Sequence, residues 1–108
     1  MLRYIAKRML FSGERIDAAR AQAIGLIDEV VPSGTVLDAA LELAERINAN
    51  APLAVAAAKR SVNLGTQMAL ADALRLEACL FGALFRSGDV AEGVAAFLEK
   101  RKPDYRGA

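Results

Sequence analysis

The stretch from Leu70 to Arg86 constrains this chain more than any other part of it. Stepped at 100° per residue, its polar strip is narrow and holds only Asp72, Arg75, Cys79, Gly82 and Arg86, while the remaining arc is apolar. A helix apolar over so wide an arc needs cover on more than one side. A handful of short neighbouring helices supplies less cover than that, so a partner surface is expected.

The rest of the chain reads as further helices. Ile5, Ala6, Met9 and Leu10, with Leu2, fall on one helical face that Gly13 ends. Asp17 is placed to cap a short helix over Ala18 to Ile24, closed by Gly25 in the left-handed conformation. Leu26 to Val31 alternates poorly and predicts at most one short extended stretch before Pro32, Ser33 and Gly34. Thr35, with Asp38 three residues on, opens an amphipathic helix whose buried stripe is expected to be Val36, Leu37, Ala40, Leu41, Ala44 and Ile47. Asn50 stops it, Pro52 suits the next first turn, and the Ala-rich run Leu53 to Leu64 ends at Gly65. Ser87 and Asp89, with Glu92 three residues past the Asp, start a last helix expected to bury Val90, Val94, Phe97 and Leu98 and to stop before Pro103. The expected fold is all-α, a bundle of about five to six helices in a single domain over residues 1–108, with short helices and a connector in 1–34 and amphipathic helices in 35–108.

Composition narrows the function classes. The 108 residues include 14 basic and 13 acidic side chains, which creates no net field for nucleic acid or an anionic membrane. No apolar run approaches the ~18 residues that a membrane-spanning helix needs. With one cysteine, Cys79, and no histidine, neither a disulfide nor the usual zinc or haem ligand sets are available within the chain, and a reducing cytoplasm is the expected compartment. Arg3, Lys7 and Arg8, with no acid before Glu14, superficially resemble an organelle transit peptide, but the amphipathic helix is the simpler account of the same residues.

Few residues offer chemistry. Asp38, Glu42 and Glu45 share a helix face but, without a pocket, keep ordinary acidity and suit solvent better than proton transfer. Glu77 falls among Leu70, Phe81 and Leu84 on the wheel, inside the apolar arc. A buried carboxylate there requires a partner or a proton, which leaves two readings: a structural ion pair, favoured because nothing nearby resembles an oxyanion hole, or a proton-transfer group. Cys79 lacks a histidine to activate it and reads as a small apolar residue. Gly93, Phe97 and Lys100, at i, i+4 and i+7, set an aromatic ring and a cation beside a gap without a side chain. Such a trio suits an adenine ring and a phosphate, although Phe is equally good core and Lys equally good surface.

Several strings carry a family resemblance. Phe11-Ser-Gly-Glu-Arg-Ile-Asp-Ala18, then Ala23-Ile-Gly-Leu-Ile-Asp-Glu-Val-Val31, resemble the segment that follows the catalytic core in the enoyl-CoA hydratase/isomerase (crotonase) family. Ala58-Lys-Arg-Ser-Val62, Leu76-Glu77, Ser87-Gly-Asp89 and Glu92-Gly93 are similar to that family in order and spacing. The most specific match is the close, Phe97-Leu-Glu-Lys-Arg-Lys-Pro-Asp-Tyr-Arg-Gly107.

The resemblance implies the family's C-terminal trimerisation helices, with trimers that commonly stack into hexamers. It implies a CoA thioester as substrate, no required cofactor, and Phe97 and Lys100 as residues that close over the CoA nucleotide from an adjoining subunit. Glu77 corresponds to an acidic position taken as structural. In the family's hydratases two glutamates guide water across a 2-enoyl thioester while two backbone N–H groups stabilise the enolate-like oxygen. Neither feature occurs in this sequence, so no catalytic residue is assigned and little or no hydration activity is expected of the chain by itself. The missing front is open to explanation as a truncation, a separate N-terminal catalytic half or a frame break. The rival reading is a stand-alone helical assembly or partner-binding module without enzymatic activity.

Overall fold

A computed structural model describes residues 3–108; Leu2, expected on the first helical face, lies outside the described residues. These form six helices and no strand: α1 Arg3–Ser12, α2 Ala18–Ala23, α3 Val36–Asn48, α4 Pro52–Gly65, α5 Leu70–Leu84 and α6 Gly88–Glu99. The all-helical expectation holds, and Leu26 to Val31 is irregular chain with bends rather than an extended strand. Contacts divide the chain into two compact units, the first running to Ala40 and the second spanning Leu41–Ala108, with the boundary inside α3.

In the first unit the local signals act as their chemistry predicts. The Asp17 carboxylate accepts the Arg20 backbone N–H at 2.7 Å and starts α2. Gly13 and Gly25 take positive φ, 64° and 67°, where the chain turns away after α1 and α2. Ala21 is buried, and Ile5, Ala6 and Met9 are half-buried as the helical face requires, whereas Leu10 is exposed.

The start of α3 departs from the expected cap. The Thr35 carbonyl accepts the Ala39 N–H, as at a helix N-cap, but the Thr35 hydroxyl donates back to the Pro32 carbonyl at 2.9 Å. A preceding turn has recruited the side chain. Val36, Leu37, Leu41 and Ile47 are all exposed rather than buried. At the other end the Asn50 side-chain amide donates to the Arg46 and Ile47 carbonyls, satisfying groups that the helix leaves open.

In the second unit α4 packs against α5. Pro52 occupies the first turn of α4, where its missing N–H is not needed. Gly65 remains helical, and a Cβ there would lie 3.4 Å from Ala73, so the small residues do permit close approach of the two helices. The large apolar side chains are left over. Phe81 and Phe85 are 61% and 63% exposed, while Leu98 on α6 is 73% exposed.

The total makes the same point. The chain exposes 8987 Å², whereas even two separate compact bodies of these lengths would expose about 7,000 Å² together. Among the described residues only Ala21 and Ala96 are buried hydrophobics. The apolar arc of α5 is therefore largely uncovered, with Leu70, Leu74, Phe81 and the C-cap Phe85 all exposed.

Candidate functional site

The best-defined site in the second unit is α6 with the segment that follows it. Ser87 stands at the N-cap position, but its hydroxyl donates to the Leu84 carbonyl at 2.7 Å and caps nothing. The adjacent acids have other partners. Asp89, only 5% exposed, accepts the backbone N–H of Arg106 at 2.8 Å and that of Gly107 at 3.0 Å. A buried carboxylate so placed exchanges water for directed donors, which is what allows it to stay buried.

One turn later Glu92 receives a two-pronged bond from the Arg101 guanidinium and the Asp104 backbone N–H at 2.7 Å. The Arg101 bond, then the Asp104 N–H, hold the Glu92 carboxyl well below its usual range, at about 2. Arg101 in turn is driven further above its already high value by Glu92 and Glu99. Spacing alone places Asp89 and Glu92 at the start of a helix, whereas in the folded chain both carboxylates are taken by the segment that follows α6. For Glu92 the available signal was the opposite charge on Arg101, which local periodicity does not weigh; Asp89 is held by backbone N–H groups, and the Arg106 guanidinium pairs with Asp104 instead.

At its C-terminal end α6 closes on Lys100, which takes a left-handed conformation with φ 55°. The Arg101 N–H returns to the Ala96 carbonyl at 3.0 Å, as a helix-ending reversal requires. Lys100 is exposed, and Phe97 is 83% exposed rather than buried. Val94 and Leu98 likewise face outward, and Val90 is half-buried, so the burial expected of this helix falls instead on Ala96. The place opposite Gly93 is taken by Tyr105, whose hydroxyl lies 3.2 Å from where a Cβ would sit.

An open apolar groove of about 490 Å³ runs beside these residues, bordered by Leu53, Phe81, Phe85, Val94, Phe97 and Tyr105. The Phe81 and Phe85 rings meet edge to face at a centroid distance of 5.1 Å. Such a pair forms a stiff apolar wall. A smaller groove between α4 and α5 places Glu77 beside Ala54, Ala57, Ala58 and Leu80. Its apolar neighbours are as the helical wheel suggests, but Glu77 is exposed rather than buried.

Cys79 is a free, exposed thiol. Asp38, Glu42 and Glu45 are exposed. Among the described residues no group of acids, histidines or cysteines is arranged to hold a metal ion, and no helix is long and apolar enough to cross a membrane.

Comparison with known proteins places this architecture. The family model described as Enoyl-CoA hydratase/isomerase matches residues 3–108. The chain is 42% identical over 103 residues to the 2,3-dehydroadipyl-CoA hydratase of Escherichia coli, an alignment covering 95% of this chain and 40% of that protein. It is 38% identical to the mitochondrial enoyl-CoA hydratase of Pongo abelii, covering 94% of this chain and 35% of the relative. The structure of an enoyl-CoA hydratase/isomerase from Mycobacterium paratuberculosis superposes with a TM-score of 0.94 at 37% identity, over all of this chain and 43% of that one. The chain thus spans about two fifths of the length of the curated relatives it matches. With its helices, its C-terminal string and its entire described length all aligned, this chain belongs to the enoyl-CoA hydratase/isomerase family.

Proposed function

We propose that this chain is the assembly and CoA-covering part of an enoyl-CoA hydratase/isomerase-type enzyme, and that the machinery of hydration resides in a segment outside these 108 residues. The observation that carries this reading is the uncovered apolar surface of α5 and α6, with Phe81, Phe85, Phe97 and Leu98 all open to water in one unit. Isolated soluble chains rarely leave so many large side chains together unsealed. Sister copies arranged as a trimer or hexamer, or the rest of the enzyme body, would cover them.

Phe97 and Lys100 suit the CoA role because both are exposed at the same end of α6. A flat ring can stack on adenine, and an ammonium can neutralise a phosphate. The substrate class is an acyl-CoA thioester and no cofactor is needed. On this reading the acids that would guide water across a 2-enoyl thioester belong to that other segment, so activity by the isolated polypeptide is expected to be negligible.

Titration of CoA into wild type and Lys100→Ala by calorimetry tests the site. Weaker binding by the variant supports it, and equal affinity removes Lys100. The rival reading, a stand-alone assembly module, rests on the same apolar surface and predicts a defined oligomer with no CoA affinity. Hydration of crotonyl-CoA by the pure chain, free of host enzyme, would overturn the statement about activity.

A further inference from the structure

The segment Arg101 to Ala108 has no regular secondary structure, yet it runs back along α6 to the start of that helix. Arg101 and the Asp104 N–H attach it to Glu92, the Arg106 and Gly107 N–H groups attach it to Asp89, and the Ala108 carbonyl accepts the Gly88 N–H at 2.6 Å. Its apolar anchorage is slight by comparison. Tyr105 lies over Gly93, and Gly107 approaches Pro52 so closely that a Cβ would stand 2.9 Å from the ring. Arg101, Lys102, Pro103, Asp104, Arg106 and Ala108 are exposed.

A segment held by directed polar bonds over little buried apolar area opens at a fraction of the free energy that unfolds the packed helices. Opening has a defined geometric result here. Tyr105 borders the apolar groove beside α6 and also a second groove of about 350 Å³ that includes Ile47, Pro52, Val55 and Lys59. It is a wall common to both.

We propose that the C-terminal tail is a releasable strap. Latched on Asp89 and Glu92, it seats Tyr105 over Gly93 and keeps the two grooves apart; released, it removes that wall and joins them, without unfolding α4 and α5. This device does not depend on the CoA assignment of Phe97 and Lys100.

Residue-resolved hydrogen exchange on the 108-residue chain tests it. In wild type the Arg106 and Gly107 amides should exchange more slowly than in a free tail peptide, yet at least about tenfold faster than amides in the middle of α4 and α5. In Asp89→Ala/Glu92→Gln the tail amides should reach the peptide rate while α4 and α5 keep their protection, and binding of an apolar dye should rise. Tail amides as fast as the peptide in wild type, tail amides as slow as those of α4 and α5 in wild type, or a tail still protected in the double variant would each overturn the proposal. Loss of α4 and α5 protection together with the tail would overturn it as well, since the tail would then be an integral part of the helical fold.

Discussion

Both carboxylate oxygens of Asp89 lie within hydrogen-bonding reach of the Gly107 backbone N–H, at 3.2 and 3.0 Å, although eighteen residues separate the two along the chain. Gly107 can take this place because its φ is 72° and because no Cβ intervenes between its backbone and Pro52. The pair ties the end of the chain to the first turn of α6.

Gly107→Ala should destabilise the second unit by about 1–2 kcal/mol, since an L side chain in the left-handed region carries that strain and its Cβ would also press on Pro52. The midpoint of urea unfolding should fall with an unchanged slope. An undiminished midpoint would mean that the tail is not seated as described.

Glu92 makes the seating pH-dependent. Its folded-state value of about 2 lies below the ordinary 4.5, so its contribution is fully present above the ordinary value and disappears as the pH falls through about 2. The resonance of the Asp104 amide, which donates to Glu92, should therefore shift between pH 4.5 and pH 2 in wild type. In Glu92→Gln the Glu92-linked part of that shift should vanish.

Lys100 holds a left-handed conformation without being glycine. Lys100→Gly should raise stability by up to about 1 kcal/mol through relief of that strain, whereas Lys100→Ala retains it and should be close to neutral. Both remove the ammonium. If the charge serves CoA, the two variants should lose affinity equally while differing in unfolding midpoint, which separates the role of the charge from that of the backbone.

Phe81 projects from α5 into water beside Phe85. Phe81→Glu should shift sedimentation profiles toward smaller species and lower the binding of apolar dyes, because a carboxylate resists burial in a contact between copies. An unchanged distribution of species would place the assembly surface elsewhere.

Much of this was legible in the sequence because helices are set by local physics. Asp17, Gly13, Gly25, Asn50 and Pro52 act where their chemistry predicts, and the apolar arc of α5 is present as read. The stripe of α3 and the apolar face of α6 were also visible, yet both were expected to be buried, and Leu37, Val94, Phe97 and Leu98 are exposed. Periodicity identifies which side of a helix is apolar, not whether another body covers it.

The helical class and the order of the elements were thus decided by sequence alone: side-chain periodicity, caps and glycine conformations act over a few residues and need no distant partner. Tertiary structure decided the fate of Asp89 and Glu92. By spacing they belonged to the start of a helix; in the folded chain their lone pairs go to Arg101, Asp104, Arg106 and Gly107. Such bonds depend on where the chain returns in space, and that path is determined by the reversal at Lys100 and the close approach at Gly93 and Gly107, none of which has a periodic signature.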